Sequence, residues 1–409
     1  MCNGTIMDKL ISFSIPLMLS GILQLMFNAV DIVVVGRFSG SQALAAVGST
    51  TALINVFTNL FIGISLGANV LAARYYAAGK TKEMSETVHT AIALALVSGV
   101  AMAVIGVVFA RGALEIMGTP DDVIAKSTLY MRIYFCGMPF FMMYNYGAAI
   151  LRAVGDTKRP LIFLIVSGVI NAILNLFLVI GFHLDVAGVG IATVISQLVS
   201  CILVLRCLHH TESSYQLHLA KLRIRSVYLK QIFEVGVPAG IQSTVINISN
   251  AMLQSSVNSF GSIAMAGYTA SNNIFGFLYV SVNSFTQACM SFTSQNYGVK
   301  KLKRMDRVLI DCMILSIVVT LILGSSVYIF GPELLHIYSN QADVIKYGME
   351  IFSYTTVTYF LCGLMDLFPG ALRGMGYSTV PMILSIIGTV GVRIIWIYGL
   401  FPSHRSLTF

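Results

Sequence analysis

Apolar positions in this chain do not alternate with polar ones. They run in uniform blocks of about 20 residues, the length that crosses about 30 Å of hydrocarbon as a helix. Eleven such blocks occupy 10–35, 50–72, 90–109, 131–150, 161–182, 189–208, 235–257, 274–292, 308–330, 351–371 and 382–400. None shows the dyad alternation of a membrane β-strand, so an all-α polytopic membrane protein is expected. The first block is too long for a signal-peptide core and has no small-residue cleavage pattern behind it.

Cations orient the spans. The loops after the even-numbered spans hold 17 Lys and Arg, among them Arg74, Lys158, Arg223, Lys300 and Arg304. Those after the odd-numbered spans hold only Arg37, Arg111, Lys126 and Lys346. The positive-inside rule then places the N-terminus and the even loops in the cytoplasm of a cell whose plasma (inner) membrane holds the chain. Composition agrees: 56% hydrophobic, 10% charged and a mean hydropathy of +0.83 leave too few charges for a water-soluble surface. Topology and anionic lipid account for the net charge of +8, and nothing asks for nucleic acid.

A repeat organises the blocks. LRAVGDTKRP at 151–160 returns as LRGMGYSTVP at 372–381, a separation of 221 residues. At that offset Asp122, Val123 and Ile124 recur as Asp343, Val344 and Ile345, Tyr76 as Tyr297, Lys80 as Lys301, and Gly40 as Gly261. A constant offset carried by loop and helix residues alike marks two copies of one six-helix unit. The expected domains are an N-terminal bundle at 1–208, a cytoplasmic linker with an interfacial helix at 209–234, and a C-terminal bundle at 235–409. An even helix count sets both copies the same way up, related by a pseudo-two-fold axis along the membrane normal, with a binding cavity between bundles near the midplane. Span 6 repeated at the same offset would fall at 410–429, beyond Phe409. The second bundle is therefore expected to hold five helices, with PSHRSLTF as a loop and the chain truncated.

Pro16, Asp31, Gly36 and LAAVG at 44–48, together with the two decapeptides, resemble the multidrug and toxic compound extrusion (MATE) transporters over essentially the whole chain. The resemblance implies a secondary antiporter that exports amphipathic, often cationic compounds in exchange for Na+ or H+, with a small-molecule substrate and membrane lipid as its partners. No other cofactor, no enzymatic activity and a monomer are expected. In some members an acid of span 1, an Asn and an Asp of span 5 and a Thr of span 6 converge on the coupling ion. Asp31, Asn171 and Thr193 match, and Asn175 stands where those members carry Asp, which leaves the choice of ion open.

Asp31 continues a polar face with Gln24 and Asn28. An ionised carboxylate at that depth costs about 2.5–3.5 kcal/mol even on lenient insertion scales, so it belongs in a solvated or protein-lined site. Ser167, Asn171 and Asn175 form a stripe on span 5, where small polar groups can also serve as helix glue. Asn145, Asn247, Asn250, Gln254, Asn283 and Gln287 are further candidates for cavity lining. Arg393, deep in span 11, is expected to pair with Asp366 of span 10, as a structural pair or as a second coupling site.

Other chemistries find little footing. The seven His and seven Cys are scattered, with no metal-ligand or nucleophile spacing and no phosphate-binding loop for ATP. A lipid-linked sugar flippase of related fold is the alternative, and it would want a strongly cationic cavity. A channel would want a ring of equivalent residues.

Overall fold

The computed structural model describes residues 1–400; the PSHRSLTF loop expectation lies outside them. Each expected span is helical: α1 (Met7–Phe38), α2 (Gly40–Ala77), α3 (Thr81–Ile116), α4 (Asp121–Cys136), α5 (Met138–Ala153), α6 (Lys158–Asn175), α7 (Asp185–His209), α8 (Ser226–Asn258), α9 (Ser262–Gly298), α10 (Leu302–Ile329), α11 (Gly331–His336), α12 (Ala342–Gly374), α13 (Thr379–Ser385) and α14 (Val392–Ile395). π-helical segments at Leu176–Gly181, Ile386–Gly391 and Trp396–Leu400 continue α6, α13 and α14. Among the described residues, eight helices are long and apolar enough to cross a membrane.

The expected fourth span is broken. Gly137 closes α4 and Pro139 sits in the first turn of α5, where its missing N–H costs nothing. Its counterpart in the repeat, α12, runs unbroken across the equivalent point, with Phe360 where Pro139 stands.

The repeat is visible in the backbone. Gly40 and Gly261 have φ of 84° and 97°, Gly155 and Gly376 have 100° and 97°, and Gly79 and Lys300 have 67° and 59°, each pair 221 residues apart. The decapeptides are helix stops. Gly155 N–H reaches Arg152 O at 3.0 Å and Asp156 N–H reaches Leu151 O at 2.9 Å; Gly376 and Tyr377 repeat this on Arg373 and Leu372 at 2.8 and 2.9 Å. That pairing satisfies the last carbonyls of a helix and needs a left-handed residue, which glycine supplies without a Cβ penalty. Asp156 then starts the next helix, its Oδ1 accepting the N–H groups of Lys158 and Arg159 at 3.1 Å.

Packing divides the chain into two compact units, and the division falls inside helices. One unit holds Leu19–Gly240; the other holds Met1–Met18 and Ile241–Phe409. The expected boundaries at 208 and 234 therefore shift: the first 18 residues pack with the second half of the sequence, and 209–240 with the first.

In the unit of residues 19–240, α2 and the start of α8 meet backbone to backbone through two G-x-x-x-G runs. A Cβ on Gly63 would strike the backbone of Gly240, one on Gly67 the Ile232 carbonyl, one on Gly236 the Ile64 backbone and one on Gly240 the Leu60 carbonyl. Small residues permit this approach, which yields dispersion contact where lipid offers no hydrophobic drive. The expected free-standing interfacial helix is absent from 209–234. Leu219–Lys221 is a single 3-10 turn, and the remainder enters α8 at Ser226. Polar contacts hold this segment on α3: Arg223 and Arg225 reach Glu86 at 2.6 and 3.0 Å, and His218 N–H donates to His89 Nε2 at 3.1 Å.

In the other unit, Leu10, Phe13 and Leu17 of α1 are buried with Phe285, Phe292 and Leu367, Phe13 meeting Phe292 edge-on at 5.6 Å. Lys301 and Arg304 hold residues 1–4 by their carbonyls, Lys301 to Cys2 O at 2.9 Å and Arg304 to Gly4 O at 2.9 Å.

Gly63→Val should cost about 3 kcal/mol or more, because the added atoms meet main chain, which cannot rotate away. A lowered melting temperature of the purified protein in detergent checks this; an unchanged one contradicts the contact.

Candidate functional site

A close helix contact sets up the first cluster. The ring of Phe27 on α1 lies where a Gly168 side chain would be, so the missing side chain lets the ring pack directly on the α6 backbone. One turn beyond Phe27, Asp31 faces α6, and there it meets the stripe expected from the sequence. Asn175 uses both amide hydrogens: Nδ2 donates to Asp31 Oδ1 and, at 3.1 Å, to Asn171 Oδ1. Asn175 is fully buried and Asn171 nearly so. The Asn175 carbonyl oxygen is buried without a hydrogen-bond partner, beside the carboxylate. Regular α-helix ends at Asn175, where the π-helical segment begins; such segments concentrate at functional sites.

Tyr130 and Tyr134 of α4 lie near enough to Asp31 to feel its charge. Sequence reading missed both. Their four-residue spacing on one helix face was the available signal, but aromatic residues at that spacing are the ordinary content of an apolar helix. Thr193 does not enter the hydrogen-bond network, since its hydroxyl donates back to Val189 O at 2.9 Å on its own helix. Ser167 likewise bonds to Leu164 O at 3.1 Å.

The other candidates divide by surroundings. Gln24 and Asn28 are exposed on α1, as are Asn247 and Asn250 on α8, while Gln254 is half-buried. Asn145 satisfies itself on Phe141 O at 2.8 Å. Gln287 donates to Asn283 Oδ1 at 2.6 Å along α9.

Asp366 and Arg393 are not a pair. Asp366 on α12 faces the Tyr279 hydroxyl and lies near Arg373, one of its own helix neighbours two turns on. Arg373 in turn donates to Gln242 Oε1 at 2.5 Å, and Gln242 donates to Ser385 Oγ at 2.8 Å. Arg393 instead donates to Asn250 Oδ1 at 2.6 Å and Ser249 Oγ at 3.3 Å. The reason is register: the π-helical segment Ile386–Gly391 widens the turn just before α14 and changes the direction of the side chains after it from that of the regular helix the pairing assumed.

Among the described residues, no group of three or more His, Cys, Asp or Glu is placed to hold a metal ion. The site is thus one carboxylate held by neutral amides within a bundle of apolar spans.

Such a bundle, with an acid held by amides and a repeated half, is that of a multi-pass membrane transporter. The chain belongs to the MatE family, whose model matches residues 16–177 and again 238–398. It is 30% identical over 389 residues to the probable multidrug resistance protein YoeA of Bacillus subtilis, covering 93% of this chain and 84% of that protein. It is 23% identical to the multidrug export protein MepA of Staphylococcus saprophyticus over 98% of this chain and 89% of that protein. Among solved structures it superposes on an outward-facing MATE transporter of the MOP superfamily with TM-score 0.90 at 20% identity, covering 97% of this chain and 89% of that one. A variant of the Vibrio cholerae MATE transporter VcmN matches with TM-score 0.87 at 20% identity, covering 93% and 86%.

Asn175→Leu removes the donor to both Asp31 and Asn171 and should destabilise the protein by about 1–3 kcal/mol, the cost of leaving buried polar groups unpaired. Thermal unfolding of the purified variant in detergent measures it, and a wild-type melting temperature would refute the network.

Proposed function

We propose that this protein exports amphipathic, cationic organic compounds across the plasma membrane in exchange for Na+ or H+, by alternating access, as a monomer with a cytoplasmic N-terminus. Its family and the multidrug transporters it resembles support the exchange of a solute. One observation carries the coupling site. Among the described residues Asp31 has no cation within ion-pair distance, and its hydrogen-bond donor is the neutral Asn175. A carboxylate held this way can gain or lose a proton or a monovalent cation without breaking an ion pair. The change of charge then alters the cost of keeping Asp31 in a low-dielectric site, which is how occupancy biases one state over another.

Asn171 Oδ1 and the unpartnered Asn175 Oδ1 supply neutral oxygen beside the acid, and Gln24 and Asn28 continue the polar face of α1. With Asn at 175 the site carries one negative charge, matched to one monovalent ion per cycle. None of the relatives named above is a flippase, and no feature of the site favours that alternative.

One charge entering down 100 mV supplies about 2.3 kcal/mol, roughly a 50-fold solute gradient. Asp31→Asn keeps the size and loses the titration, so gradient-driven dye export should vanish while the protein still inserts and folds. Proteoliposomes loaded with a cationic dye, under an imposed Na+ or pH gradient, give the readout and identify the ion. Wild-type export by the Asn variant would sink the proposal.

A further inference from the structure

Arg393 lies in the last described span, on the four-residue α14 between two π-helical segments. A guanidinium costs up to about 2.5–3.5 kcal/mol to insert, the value at a span's centre, and ordinarily meets a carboxylate. Here it does not. Among the described residues no acid, Asp366 included, lies within 4.0 Å of it.

The contacts Arg393 does make, to Asn250 and Ser249, are neutral and both run from Nη1. The guanidinium has five N–H donors in a planar fork. Its Nε and Nη2 have no acceptor among the described residues, and the side chain is only half-buried. On α8, Asn247 and Asn250 are exposed three residues apart, so their amides share the helix face that Arg393 meets. π-helical turns occur frequently at functional sites, and one precedes Arg393 directly.

We infer that Arg393, with Asn250 and Asn247, binds the anionic group of an amphipathic ligand, a carboxylate or a phosphate. The free edge of the fork matches two oxygens of such a group, and the charge left uncompensated among the described residues is supplied by the ligand. This rests on the transport reading and deepens it: the carried solutes include ones with an acidic group, alongside the cations.

Dansyl-aminoundecanoic acid and its methyl ester differ only in that group. Their binding to the full chain is measured by fluorescence in phosphatidylcholine vesicles, against protein-free vesicles. The acid should bind about 10-fold tighter than the ester, in line with loss of one charge-assisted bidentate pair. Arg393→Met should bring the ratio to one with ester binding kept, and Arg393→Lys should retain part of it. Equal binding of acid and ester by the wild type, or a ratio that survives in Arg393→Met, overturns the inference. Should Arg393→Met fail to fold, Asn250→Ala decides, a lowered ratio supporting the site and an unchanged one overturning it. Repeating the measurement with phosphatidylglycerol in the vesicles separates the sources: competition identifies an anionic lipid headgroup, and its absence identifies a free solute, either upholding the anionic site. Export of cationic dye does not enter this readout, so failure here leaves the coupling role of Asp31 standing, and the reverse.

Discussion

A peptide group in hydrocarbon has no water to bond, so each N–H and C=O must find its partner within the protein. This constraint governs where the chain can turn. The helix stops at Gly79, Gly155 and Gly376 turn the terminal carbonyls inward onto the following N–H groups, and all three need a left-handed residue. Lys300 meets the same need at the end of α9 without glycine's freedom, at a cost of about 1–2 kcal/mol. The remaining architecture is what long apolar helices can do between such stops.

That is why so much of the fold was legible. Uniform apolar blocks reveal spans and a constant offset reveals the repeat, because each is a property of sequence alone. The cluster at Asp31 was legible in part. Asn171 and Asn175 stand out as amides in an apolar helix, and their four-residue spacing already places them on one face. Tyr130 and Tyr134 stayed hidden because an aromatic side chain in a membrane helix needs no special reason.

What could not be read depends on pairing between distant segments. Gly63 and Gly67 look like any small residues of a span until Gly236 and Gly240 are seen against them. The assignment of Arg393 to Asp366 assumed regular helix, and a π-helical stretch is invisible to a reading based on a period of 3.6 residues. The domain limits fell in the polar linker because composition changes there, whereas packing divides the chain within α1 and α8, where composition does not change.

The exchanged helix starts bear on how the protein is made. Residues 1–18 are made well before Phe285, Phe292 and Leu367, against which they pack. At about 5–20 residues per second the opening segment waits for tens of seconds beside the translocation machinery, its apolar face provisionally covered by lipid. The glycine face of α2 waits likewise for α8. The unit of residues 19–240 has all its partners once α8 has begun, whereas the other unit needs both the opening residues and the later helices, so the two complete their packing at different times. Premature chain release therefore leaves the first-made helices without their permanent neighbours.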